Sequence, residues 1–134
     1  MPGRHAAPDT PLFVDSSTVL AVEFEEPGFE VLESILALAP VRFASALLEA
    51  EYLSRCRREH RVARPHQLEG LSVLSPPRSL APEIARVLDA GYLRGADCWH
   101  LATALWLAPN PAELCFLTLD ERQCEVAQRL GFQT

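Results

Sequence analysis

Lysine is missing from this 134-residue chain: every one of its 12 basic residues is Arg. That absence removes chemistry that needs a Lys nucleophile, a Schiff base or a phosphate-loop Lys. It also disfavours aspartyl-phosphate receivers, which set a Lys against the phosphoryl group. The four cysteines (56, 98, 115 and 124) form no C-x-x-C pair, and the four histidines form no H-x-x-x-H pair. A structural zinc site is therefore not expected. No apolar run reaches the roughly 18 residues that a membrane span requires, and residues 1–10 lack the apolar core of a secretory signal. A cytoplasmic protein with no disulfides is the expectation. The net charge of −6 excludes nonspecific attraction to nucleic acid as the main activity. Asp is scarce as well, occurring only at 9, 15, 89, 97 and 120.

What is present reads as one domain. Apolar residues make up 49% and charged residues 22% of the chain, the balance of an ordinary globular protein. Residues 1–11 carry three Pro and one Gly and are expected to be a flexible tail before a domain spanning 12–134. Short apolar runs at 12–14, 41–43, 71–74 and 115–119 predict strands. Apolar periodicity and cap residues predict helices after Asp15 and over about 29–39, 45–61, 80–93, 96–108 and 121–130. Gly131 is placed to cap the last helix. Alternation of this kind predicts an α/β fold, with a central, mostly parallel sheet flanked by helices in three layers.

In such sheets ligands bind beyond the carboxyl ends of the strands. Asp15 follows the first predicted strand and Asp120 the last, so both belong to that edge. Asp97 falls in the first turn of an apolar helix. Each alone suits helix capping. Three together form a candidate carboxylate cluster whose mutual repulsion a hard divalent ion would relieve. Such ions activate water and clamp phosphate oxygens in phosphodiester cleavage.

Four blocks carry a resemblance: residues 12–17 (LFVDSS), 44–51 (ASALLEAE), 94–102 (RGADCWHLA) and 116–120 (FLTLD). In order and spacing they resemble the acidic blocks of PIN domains, in particular the VapC-type ribonuclease toxins of toxin–antitoxin pairs. The likeness covers about residues 12–132. It implies a PIN-like fold and an endoribonuclease dependent on Mg²⁺ (or Mn²⁺), in which an acidic pocket holds the metal that activates water. It also implies an RNA substrate, a homodimer and an antitoxin protein that blocks the site. By position Asp15, Asp97 and Asp120 match the three family Asp as catalytic and metal-binding residues. Ser16 and Thr118 match the small polar residues beside them.

The family Glu has two candidates. Glu49 and Glu51 lie about 200° apart on a helix, so only one can face the pocket. Flanking apolar residues do not choose between them. The resemblance favours Glu51, which stands six residues after Ser45 and directly after Ala50.

Arg55, Arg57, Arg58, Arg61 and Arg64 crowd ten residues. Arg55, Arg58 and Arg61 are candidates for contacting RNA or a partner; a solvated helix end that suits the macrodipole is the plainer alternative. His100, three residues after Asp97, is read either as a general acid or as a core histidine supporting the site. Trp99 and Trp106 fit core or dimer packing. The apolar residues from Val19 to Leu32 fit either the core or a groove for a partner helix. Two other functions compete with the ribonuclease: a PIN-like module that only binds or dimerises, and a phosphoryl-transfer enzyme. The lack of Lys counts against the second.

Overall fold

A computed structural model describes residues 9–63 and 68–134. The expected tail lies outside that range up to residue 8, as do Arg64 and Pro65. The last tail residue is tied down, because the Pro11 carbonyl accepts a hydrogen bond from the Cys115 amide (3.1 Å).

The described residues form β1 (Leu12–Val14), α1 (Ser16–Glu23), α2 (Phe29–Leu38), β2 (Arg42–Ser45), α3 (Leu47–Arg58), β3 (Leu71–Leu74), α4 (Ala81–Ala90), α5 (Gly95–Leu107), β4 (Cys115–Leu117) and α6 (Glu121–Leu130). All strand pairs are parallel, in the order β3-β2-β1-β4. Beyond β4, the Phe116 amide donates to the Gln133 carbonyl (2.8 Å) and the Gln133 amide to the Leu114 carbonyl (3.1 Å), so the C-terminus extends that edge. No helix among the described residues is long and apolar enough to cross a membrane.

Parallel strands covered on both faces must be apolar on both, and β1 is buried throughout. Its side chains divide by the strand period of two. Leu12 and Val14 pack with Val19, Leu48 and Tyr52 under α1–α3. Phe13 packs with Val87, Leu101 and Val126 under α4–α6 and stacks on Phe116 with ring centroids 5.6 Å apart. Trp99 and Trp106 are half-buried against this second cluster. The result is the expected three-layer α/β sandwich.

Several element ends shift from the sequence expectation for local reasons. Ser45 belongs to β2, and its Oγ accepts from the Leu47 amide, so α3 starts two residues after it. α3 stops at Arg58 instead of 61, because His60 turns left-handed (φ 54°) and the Arg61 amide folds back onto the Cys56 carbonyl (2.8 Å). α4 ends before Gly91, which lies against α6: a Cβ there would come within 2.8 Å of Val126 Cγ2. β4 ends at Leu117 because the amides of Leu119 and Asp120 bond to the Ser17 and Thr118 hydroxyls rather than to a strand. Gly131 caps α6 at φ 106°, as expected.

The strand order places the site. From β1 the chain steps to β2 and β3 on one side, then α4 and α5 carry it back to β4 on the other. The sheet therefore reverses direction between β1 and β4, and a crevice opens beyond the carboxyl ends of these two strands. Asp15 follows β1 and Asp120 follows β4, as the sequence predicted.

Candidate active site

Each acid is set by a local element. Asp15 is the N-cap of α1: its Oδ2 accepts from the Ser17 amide (3.0 Å), and its side chain is almost fully buried. Asp120 is the N-cap of α6, with Oδ1 accepting from the Gln123 amide (2.7 Å). Asp97 lies in the first turn of α5 and is half-buried. Glu51, just over one turn into α3, points toward His100 and Ser16, while Glu49 is exposed. Two of the four acids, Asp15 and Asp120, thus serve as helix caps.

A buried chain of hydrogen bonds fixes Glu51. His100 is fully buried on α5; its Nε2 lies 2.6 Å from Glu51 Oε1 and its Nδ1 lies 2.9 Å from Ser45 Oγ. An ionised carboxylate only accepts, so Nε2 carries a proton. On the other side of the ring Nδ1 meets the Ser45 hydroxyl, which itself accepts from the Leu47 amide. Ser16 Oγ donates to the same Glu51 oxygen at 2.9 Å. Burial by itself would raise the Glu51 pKa, but the hydrogen bonds from His100 and Ser16 and the charge of His100 outweigh it. The net effect holds Glu51 below its usual range. His100 thus supports the site from the core.

Asp97 moves the other way. Burial is the main cause; the charges of Asp15 and Asp120 come next and Glu51 adds to them, with His100 opposing. Its pKa is raised. Asp97 therefore senses all three other acids, and the edge concentrates negative charge.

Thr118 and Gln123 complete the frame. The Thr118 hydroxyl donates to Gln123 Oε1 (2.6 Å) and accepts from the Asp120 amide (3.1 Å). Gln123 Nε2 donates to Asp15 Oδ1 (3.3 Å) and to the Asp97 carbonyl (3.2 Å). Sequence reasoning passed over Gln123. The available signal was position: with Val126, Ala127 and Leu130 it completes the i, i+3, i+4, i+7 stripe that α6 turns to the core, and it is the polar member of that stripe.

The donor set at this edge is oxygen only, the chemistry a hard divalent cation selects. Among the described residues, no three His, Cys, Asp or Glu side chains stand close enough as they are to hold one ion.

The arginines sit elsewhere. Arg61 pairs with the fully buried Glu23 (Nε–Oε2 2.6 Å), which also accepts from the Tyr52 hydroxyl (2.6 Å). Arg55 bonds to Glu59 (3.3 Å), and both Arg55 and Arg61 lie over the Phe24 ring. Arg58, mostly exposed, also reaches Glu59 at 3.4 Å. All four cysteines are free thiols.

A groove of about 610 Å³ opens beside the acids, between α2 and the start of α6, and Val31, Leu32, Ile35, Leu119 and Asp120 are among the residues lining it.

Comparison with known proteins agrees with this layout. The family profile described as "PIN domain" matches residues 12–129. Over 126 residues the chain is 32% identical to Ribonuclease VapC46 of Mycobacterium tuberculosis (strain ATCC 25618 / H37Rv), covering 90% of this chain and 92% of that protein.

Proposed function

The chain belongs to the PIN domain family, and on that premise we propose that it is a divalent-metal-dependent endoribonuclease, the toxin of a toxin–antitoxin pair. What supports the reading is that Asp15 and Asp120 cap the helices that follow β1 and β4, at the reversal point of the sheet, with Asp97 near enough that burial first, and then the charges of Asp15, Asp120 and Glu51, raise its pKa. Similarity to a ribonuclease along most of both chains supports the substrate class.

Asp15, Asp97 and Asp120 would hold Mg²⁺ or Mn²⁺. Bound there, the ion supplies charge neutralisation for the phosphodiester and a more acidic water. The remaining work falls to the chain itself. Glu51, held ionised by His100 and Ser16, orients the attacking water and takes its proton. Thr118 and Ser16 keep the acids in place. Arg58, and Arg55 less freely, extend from the far end of α3 as candidate phosphate or partner contacts.

The antitoxin would seat an apolar segment in the groove beside Asp120 and so cover the acids. A homodimer and a cytoplasmic location complete the proposal.

The test is cleavage of an end-labelled RNA by purified protein. Cleavage with Mg²⁺ or Mn²⁺ that stops in excess EDTA is expected. Undiminished cleavage in EDTA would remove the metal mechanism. Failure to cleave any RNA with either ion would leave a binding module. Growth arrest on expression, relieved by a small protein encoded next to this one, tests the toxin assignment.

A further inference from the structure

We propose that Gln123 is a positioning residue that fixes the spacing of the acidic edge and thereby its affinity for a divalent cation. The proposal rests on the ribonuclease reading above and adds to it a residue that is neither acidic nor a ligand.

Gln123 is fully buried although it carries a polar amide, and its position on α6 is one that the helix pattern would fill with an apolar side chain. A buried amide is costly unless its donors and acceptor are used. Here all of them are. One amide group spans three segments: the end of β1 through Asp15, the first turn of α5 through the Asp97 carbonyl, and the end of β4 through Thr118. The Gln123 backbone amide adds the fourth, Asp120 at the start of α6. Residues 26 and 108 positions away in the chain meet on a single side chain.

The orientation of the amide follows from its neighbours. The Asp15 carboxylate and the Asp97 carbonyl can only accept, so both must face the NH₂ group. The Thr118 hydroxyl, already accepting from Asp120, gives its proton to Oε1 at 2.6 Å, well inside its 3.5 Å distance to Asp15 Oδ2. The arrangement can be satisfied one way round only. It also supplies Asp15 with a neutral donor, which steadies the carboxylate without competing for it as a fixed positive charge would. Side chains that orient metal-binding groups in this way commonly account for about 10–100-fold in metal affinity or activity.

The experiment compares wild type, Gln123→Leu, Gln123→Glu and a control, Val126→Ala. Val126 is buried on the same helix and contacts the apolar core, so its truncation lowers stability without touching the acids. Mn²⁺ binding is titrated by water-proton relaxation on each folded protein, and kcat and KM are measured separately on one RNA oligonucleotide. Gln123→Leu should weaken Mn²⁺ about 10–100-fold and lower kcat while leaving KM nearly unchanged. Gln123→Glu keeps the length and the acceptor for Thr118 but loses both donors and faces Asp15 with a second charge, so it should move the same way. Val126→Ala should bind Mn²⁺ as wild type does.

In the wild type, the two Gln123 side-chain amide protons should exchange slowly with water and shift when Mg²⁺ is added. This NMR readout stands even if both Gln123 variants fail to fold. Wild-type Mn²⁺ affinity in Gln123→Leu, equal weakening in Val126→Ala, or fast-exchanging amide protons indifferent to Mg²⁺ would each overturn the positioning role. Wild-type protein that takes up no Mn²⁺ would instead remove the metal-site reading on which the proposal rests.

Discussion

Helix α3 carries charge of opposite sign at its two ends, and the two ends handle it differently. Near its start Glu51 belongs to the edge whose acids act on Asp97, and among the described residues no Arg forms an ion pair with Asp15, Glu51, Asp97 or Asp120. At its far end and just beyond, three arginines are matched: Arg61 with buried Glu23, and Arg55 and Arg58 with Glu59. The second arrangement lowers the electrostatic energy of the fold. In the first, burial and then the charges of the neighbouring acids raise the pKa of Asp97. Confining like charges against their repulsion is a cost that an exposed helix end has no reason to carry. That contrast, rather than the density of charge, separates a chemical site from a structural one.

The contrast can be broken most sharply at the acidic end. Glu51→Gln should lower single-turnover RNA cleavage about 10²–10⁴-fold, as loss of a catalytic base does. Glu49→Gln, exposed one half-turn away, should leave it within about threefold and change stability by no more than about 0.5 kcal/mol. A dead Glu49→Gln beside an active Glu51→Gln would reverse the choice of glutamate. Two active variants would remove both from the site.

At the basic end the expected effect is on stability. Arg61→Ala strips the cation from a fully buried carboxylate, leaving it the Tyr52 hydroxyl among its partners. Water can reach the partly exposed Arg position, so the loss should stay near about 1–2 kcal/mol, read by urea unfolding. kcat of the folded fraction should not change. Unaltered stability with several-fold weaker RNA binding would instead make Arg61 a substrate contact.

The smallest effect sharpens the comparison by its sign. Because burial and the neighbouring acids raise the folded-state pKa of Asp97, its ionised form works against folding. That penalty is complete above the raised pKa and gone below the ordinary aspartate value of about 3.9. Asp97→Asn should therefore melt at a higher temperature than wild type at pH 7, with the gap closing as the pH falls toward 4. Mn²⁺ should raise the wild-type melting temperature more than that of the variant, since binding to the folded state alone stabilises it. A variant less stable at pH 7 would show that Asp97 is not under like-charge strain.

Much of this was legible before any coordinates. Leu12–Val14 and Leu71–Leu74 are apolar runs with sharp ends, and Asp15, Asp120 and Gly131 are residues whose own side chain or backbone ends a helix. Local chemistry decided those features. Glu51 was harder: both glutamates have apolar neighbours on their side of α3, so helix periodicity alone was silent. The choice fell to the Ser-to-Glu spacing of the family, and the structure turns Glu51 toward His100. Gln123 and Glu23 were missed for a shared reason. Each is a polar residue in a position patterned as core, and its meaning depends on partners far along the chain.

The sequence by itself determined the elements, their alternation and the acids that end β1 and β4, because strand runs and helix caps are properties of a few adjacent residues. It could not determine that β1 stands between β2 and β4, nor that His100 reaches Glu51 across 49 residues or Gln123 reaches Asp15 across 108. Those contacts exist only once α4 and α5 carry the chain back over the sheet. A hydrogen bond reads distance in space, and the spacing of residues along the chain carries no record of it.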